Sequence, residues 1–243
     1  MEQAAQHVQK ISLELGGNAP FLVFEDADLD AAVEGAMASK FRNAGQTCVC
    51  VNRFLVQSSV VNAFCEKLAA AMNSELTVGD GTEEGVNIGP LIDSDGVEKV
   101  SRHIRDAVDK GAELMLGGNH HPLGGNFFTP TLVNQATSEM LVAREETFGP
   151  LAAVFPFDDE EDAVEMANDT PFGLAAYFYS RDLSQVWRVS EALEYGIVGI
   201  NTGLISNAAA PFGGVKESGL GREGGHQGLE EFLETKYLCL DLG

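Results

Sequence analysis

Residues 149–180 read GPLAAVFPFDDEEDAVEMANDTPFGLAAYFYS, and three elements follow one another in them. Gly149–Phe157 is almost wholly apolar, the pattern of a strand buried on both faces. Asp158–Asp162 then concentrate carboxylates where the first turn of a helix stabilises negative charge. Ala175–Tyr179 is a second apolar run. Strand, helix and strand in succession form the unit of a parallel sheet.

The alternation continues on both sides. Towards the N-terminus, Ile11–Leu15 and Pro20–Phe24 are apolar runs parted by the turn residues Gly16-Gly17-Asn18. Asp26 and Asp28 offer N-caps to a helix with Leu29, Val33, Ala36, Met37 and Phe41 at helical spacing, ending at Gly45. Val51–Gln57 reads as a strand, Val60–Asn73 as a helix, and Glu113–Leu116 as a strand. Asp93–Lys110 is a helix with Val97, Val100, Ile104, Ala107 and Val108 on one stripe. Towards the C-terminus come a helix over Leu183–Leu193, a strand over Ile197–Ile200 and a Gly-rich return over Gly213–Gly228. Lys236–Leu242 (KYLCLDL) reads as a lone terminal strand, which needs a partner in this chain or in another subunit. The expectation is an α/β fold with a parallel sheet flanked by helices.

Composition narrows the function classes. The 243 residues carry 15 Lys+Arg against 37 Asp+Glu, a net charge of −22. No basic face remains for nucleic acid, and an anionic membrane surface is disfavoured for the same reason. A small anionic substrate binds such a chain only where a few cations are focused. There is no apolar run long enough to span a bilayer and no signal-peptide core, so a cytoplasmic chain is expected. In that compartment Cys48, Cys50, Cys65 and Cys239 are free thiols rather than a disulfide framework. Cys48-x-Cys50 lacks a second ligand pair, and His120-His121 sits in a Gly/Pro-rich loop, so no metal site is expected.

Gly219-Leu-Gly221-Arg-Glu-Gly224 matches G-x-G-x-x-G, but APFGGVKES before it is not a strand, and a structural loop is the better reading. Two other segments carry chemistry. In Leu13-Glu14-Leu15-Gly16-Gly17-Asn18-Ala19-Pro20, a carboxylate lies between two leucines. Partial desolvation would raise its pKa and make it a general base, although an edge-strand Glu facing water satisfies the same alternation. In Phe41-Arg42-Asn43-Ala44-Gly45-Gln46-Thr47-Cys48, a thiol heads a strand after a turn. A thiol there can be exposed and activated as a thiolate, or it can be a buried structural cysteine.

Together the two segments, with Glu14 and Cys48 34 residues apart, resemble the paired signatures of the NAD(P)-dependent aldehyde dehydrogenases. Further matches follow in order along the chain: Glu145–Pro150 (EETFGP), Asn168–Leu174 (NDTPFGL) and Pro211–Gly219 (PFGGVKESG). KFRNAGQTCVC and GLISNAAAPFGGVKESGLGREG are similar to the succinate-semialdehyde branch.

The resemblance implies that Cys48 attacks the aldehyde carbonyl and that Glu14 activates the water that hydrolyses the resulting thioester. It implies that Glu146 and Phe148, with the backbone of Leu15 and Gly16, meet the nicotinamide end of NAD or NADP. Arg42 and Ser206 correspond to positions that bind the far carboxylate of a small anionic aldehyde. Cys50 corresponds to a redox partner of Cys48, although a small core residue at the strand start fits the sequence as well. The family also implies a homo-oligomer. The corresponding organisation is a remnant of the cofactor-binding domain over residues 1–17, a catalytic domain over 18–218, and a return with an oligomerisation strand over 219–243. Most of the dinucleotide-binding domain, with its oxyanion-hole Asn and a second Arg for the substrate, has no counterpart in these residues. A glutarate-semialdehyde specificity, or a remnant with at most weak thiol-esterase activity, are the alternatives.

Overall fold

A computed structural model describes all residues, Met1–Gly243. The chain opens with one helical turn, α1 (Glu2–Ala5), and a two-residue strand, β1 (Leu13–Glu14). The alternating part follows as β2 (Ala19–Val23), α2 (Leu29–Lys40), β3 (Val51–Gln57), α3 (Val61–Glu75) and α4 (Ser94–Asp109). It continues through β4 (Glu113–Leu116), β5 (Thr131–Asn134), α5 (Leu141–Arg144), β6 (Leu151–Phe157) and α6 (Glu160–Asn168). After the short β7 (Phe172–Gly173) come β8 (Ala175–Tyr179), α7 (Leu183–Ala192) and β9 (Ile197–Ile200). The return holds β10 (Val215–Lys216), β11 (Gly219–Leu220) and α8 (Gln227–Glu230).

Seven strands form one sheet in the order β4-β5-β6-β3-β2-β8-β9. All its pairings are parallel except β4 with β5. The central strands β2 and β8 are buried at every residue, which is why they read as unbroken apolar runs. Phe21 stacks on Tyr179 and tilts against Phe54 in a single core of 51 residues. Asp28, Asp93, Asp159 and Asp182 cap α2, α4, α6 and α7 by accepting backbone N–H groups.

Several expectations are corrected by the fold. β1 does not join the main sheet; it pairs antiparallel with β11 of the Gly-rich return. α2 ends at Lys40 rather than Gly45, because Arg42–Gly45 form a separate turn with Asn43, Ala44 and Gly45 all at positive φ. Val108 is exposed, and the buried face of α4 takes His103 instead. β5 was not legible, and its antiparallel partner β4 makes the sheet mixed. Lys236–Leu242 forms no strand within this chain, where it is exposed coil without a partner.

Candidate active site

Because β2, β3, β6 and β8 run parallel, the segments that enter them gather on one edge of the sheet. Ala19 pairs with Val51, so Gly17 and Cys48 meet just before their strands begin. Their approach is so close that a Cβ on Gly17 would lie 2.5 Å from the Cys48 carbonyl oxygen. The segment Glu145–Phe148 enters β6 at the same edge, and the Gly17 N–H donates to Glu146 Oε1 at 3.2 Å. Ser218, fully buried, ties the return to this edge: its Oγ donates to Gly16 O and accepts from Gly173 N. The chemistry-bearing residues thus lie at the amino edge of the strands, opposite to the usual carboxyl-edge site of open α/β sheets.

Cys48 sits half-buried in the turn before β3. Its thiol is pushed up by burial and then by the carboxylates of Glu146 and Glu14. Burial is the larger cause, and the neighbouring negative charges add to it. No hydrogen bond links Cys48 directly to either carboxylate. The turn that precedes Cys48 is strained, since Asn43 and Ala44 stand at φ 52° and 55°. Left-handed geometry costs an L-residue roughly 1–2 kcal/mol. Asn43 and Gln46 hold the turn by exchanging side-chain-to-backbone hydrogen bonds, each 3.1 Å long.

Glu14 is partly buried on β1, and both of its carboxylate oxygens are hidden from solvent with no hydrogen-bond partner. Burial pushes its pKa up, Glu223 adds to the rise, and Arg222 opposes it. The Glu14 carboxylate is therefore desolvated rather than turned to water. Glu14 lies at the wall of a cavity of about 570 Å³ with Ser12, Arg222, Glu223 and Gly224. The G-x-G-x-x-G stretch is thus a wall of this cavity, with no long strand before it. A Cβ at Gly213 would come within 2.9 Å of Glu14 Oε1, so the return leaves room for this side chain.

Glu146 is held above the ordinary carboxylate range by burial, against the Gly17 N–H and the charges of Lys99 and Lys40. Gly16 packs under its Oε2, while Leu15 and Phe148 stay exposed on the same edge. Phe148 is at φ 57°, an uncommon conformation for a bulky side chain. Lys40, only 1% exposed at the end of α2, was missed by sequence reading. Burial lowers its pKa to about 8 against the opposing pull of Cys50 and Glu146.

Arg42 and Ser206 come together: both are exposed and line one narrow cleft with Ser39, Val49 and Tyr177. The Tyr177 hydroxyl donates to Val49 O at 2.8 Å, one residue from Cys48. Arg42 also borders a cleft of about 510 Å³, where Asp30, Glu34 and Glu75 make the rest of the charged lining acidic. Cys50 is buried, its Sγ 2.8 Å from Thr47 Oγ1, and it forms no bond to Cys48. His120 and His121 remain in the 117–126 loop, and no cluster of three or more metal-ligating side chains forms.

Asn18, Asn52 and Arg53 form a buried network that carried no sequence signal. Asn52 Nδ2 donates to Asn18 Oδ1, Val142 O and Glu145 O, and its Oδ1 accepts from Thr147 N. Arg53 donates only to neutral oxygens, those of Asn18, Met166, Ala167 and Tyr195.

The mixed α/β sheet thus carries a half-buried thiol and the desolvated Glu146 carboxylate at its amino edge, and the desolvated Glu14 lies on the separate β1–β11 pair, close enough to raise the Cys48 pKa. The sequence profile of the aldehyde dehydrogenase family matches residues 1–238, and the chain belongs to that family. It is 63% identical over 242 residues to the NADP(+) succinate-semialdehyde dehydrogenase of Escherichia coli, covering 100% of this chain and 50% of that protein. It is 62% identical over 240 residues to a glutarate-semialdehyde dehydrogenase of Pseudomonas aeruginosa, covering 99% and 50%. The crystal structure of succinate-semialdehyde dehydrogenase from Burkholderia pseudomallei superposes with a TM-score of 0.97 at 64% identity, over 99% of this chain and 50% of that one. The chain spans about half the length of the curated relatives it matches. No helix is long and apolar enough to cross a membrane.

Proposed function

We propose that this chain carries the catalytic portion of an NAD(P)-dependent oxidation of a short aldehyde bearing a distal carboxylate, with succinic semialdehyde the first candidate. The observation that supports this most is the orphaned Glu14 carboxylate, desolvated and close enough to Cys48 to raise its pKa. Cys48 Sγ adds to the aldehyde carbon, and its proton leaves to solvent or a nearby carboxylate. When bound, the dinucleotide supplies the two-electron oxidation that converts the cysteine adduct to a thioester. Glu14, with its raised pKa, then takes a proton from water as the water attacks the thioester carbon, and Cys48 leaves with the acyl bond broken.

Glu146, Phe148, Leu15 and Gly16 fit the nicotinamide end of such a cofactor: a partly buried carboxylate stands beside exposed apolar side chains and an open backbone. Nothing comparable in these residues suits the adenosine end. Arg42 and Ser206 supply the focused cation and the hydroxyl that a distal carboxylate needs on a chain of net charge −22. The glutarate-semialdehyde relative supports tolerance of one further methylene, which changes discrimination only modestly. The exposed apolar segment Tyr237, Leu238, Leu240 and Leu242 supports a homo-oligomer in which that segment is covered. The same geometry supports the division at residues 17 and 218, since β1 packs on the return rather than on the main sheet.

The test is NADH or NADPH formation from succinic and glutaric semialdehydes, with each dinucleotide in turn. Turnover that disappears in Cys48→Ala supports the assignment. Turnover retained in that variant removes Cys48 from its role.

A further inference from the structure

The site's cofactor-facing residues, Glu146 and Phe148, lie in neither a helix nor a strand: α5 ends at Arg144 and β6 begins at Leu151. Phe148 is at positive φ besides. A segment of this kind keeps one conformation only when its surroundings over-determine it. The support comes from α4. His103 is 0% exposed on that helix, with Nε2 3.2 Å from Glu145 Oε2 and Nδ1 3.0 Å from Thr147 Oγ1.

A carboxylate only accepts, so Nε2 carries the proton and donates to Glu145. Nδ1 is then the acceptor of the neutral ring and takes the hydrogen of the Thr147 hydroxyl. Burial lowers the pKa of His103, in keeping with the neutral form. One imidazole therefore grips the residues on both sides of Glu146. Asn52 holds the backbones of the same two residues, accepting from Thr147 N and donating to Glu145 O.

The rest of α4 reinforces the hold. Arg102 donates to Glu145 Oε2 at 2.9 Å, and Asp106 Oδ2 accepts from Leu141 N at 2.7 Å. Val100 packs so tightly on Gly149 that a Cβ there would lie 2.3 Å away. An apolar residue would fill the place of His103 without the cost of burying two ring nitrogens. Both nitrogens are spent on this one segment.

We propose that His103 is a positioning residue for the nicotinamide end of the dinucleotide, acting through Glu145 and Thr147 to aim Glu146 and Phe148. The proposal rests on the reading that Glu146 and Phe148 face that end. It makes a graded prediction. His103→Leu loses both bonds at similar volume, whereas His103→Gln keeps a donor near Glu145 and His103→Asn keeps a group near Thr147.

The experiment compares these variants in the whole chain by two readouts. The first is backbone hydrogen exchange, resolved to residues 145–148. The second is the KM for dinucleotide set against the KM for semialdehyde. In His103→Leu the Thr147 amide is expected to exchange about ten-fold faster while β2 and β3 stay protected, and the dinucleotide KM to rise about ten-fold with the aldehyde KM unchanged. His103→Gln and His103→Asn should each recover part of both effects. Unchanged exchange at 145–148 overturns the hold on the segment. A parallel rise of both KM values overturns the specific role in favour of general loosening. Because the chain spans about half the length of its relatives, a wild-type chain that neither binds nor reduces either dinucleotide makes exchange at 145–148 the deciding readout, and unchanged exchange there overturns the proposal.

Discussion

Gly17→Ala should separate the two halves of the site. The added Cβ would lie 2.5 Å from the Cys48 carbonyl oxygen, where ordinary contact begins at 3.4 Å, so the two backbones must part by about 0.9 Å. Neither side yields easily. Gly17 leads directly into the fully buried β2, and Cys48 lies between a strained turn and β3. The Gly17 N–H also donates to Glu146, so the shift loosens that carboxylate too. Overpacking of this kind costs about 1–3 kcal/mol, which lowers Tm by roughly 2–4 °C per kcal/mol in a domain of this size. A displacement near 1 Å at reacting groups costs about 100-fold in rate. The assay is kcat/KM for semialdehyde oxidation together with Tm, with Gly81→Ala as the control, since nothing lies within 4 Å of a Cβ there. Wild-type kinetics and Tm in Gly17→Ala would refute the claim that this approach builds the site.

Two other perturbations report on the site's electrostatics. Because burial and Glu146 raise the Cys48 pKa, alkylation of Cys48 should climb with pH later than that of an unperturbed thiol, and Glu146→Gln should move the profile to lower pH; an unmoved profile would remove Glu146 as a cause. Lys40 falls from 10.5 to about 8 on folding, so between those values the unfolded chain binds more protons and stability rises with pH. Lys40→Met should therefore stabilise the chain at neutral pH by about 1–3 kcal/mol, and the gain should fade as pH climbs from 8 towards 10.5, as measured by urea unfolding at several pH values.

Much of the fold was legible because buried parallel strands announce themselves as apolar runs. β2, β3, β6 and β8 lie within two residues of where the runs place them. β5 was missed because Thr131–Asn134 is only four residues long and half polar, its burial coming from its neighbours. α4 was read with Val108 inside because side-chain polarity decided the stripe. His103 is buried there only because Glu145 and Thr147, more than forty positions away in sequence, satisfy its ring. The same reason hid Asn18, Asn52 and Arg53: a buried polar residue looks like a surface residue until its partners are known. The two segments that carry Glu14 and Cys48 stood out in the sequence, and the approach of Gly17 to Cys48 follows from parallel pairing of β2 with β3. The raised pKa of Cys48 was not legible, since its burial and the carboxylates that add to it come from distant segments.

The central claim is that Cys48 is the nucleophile of a semialdehyde site. It is tested most directly by alkylating the chain with iodoacetamide, with and without succinic semialdehyde, and mapping the four thiols by mass spectrometry. The account predicts that the aldehyde slows labelling at Cys48 and leaves the exposed Cys239 unchanged, with butanal protecting less than succinic semialdehyde because Arg42 and Ser206 gain nothing from it. Equal labelling of Cys48 with and without the aldehyde would contradict it.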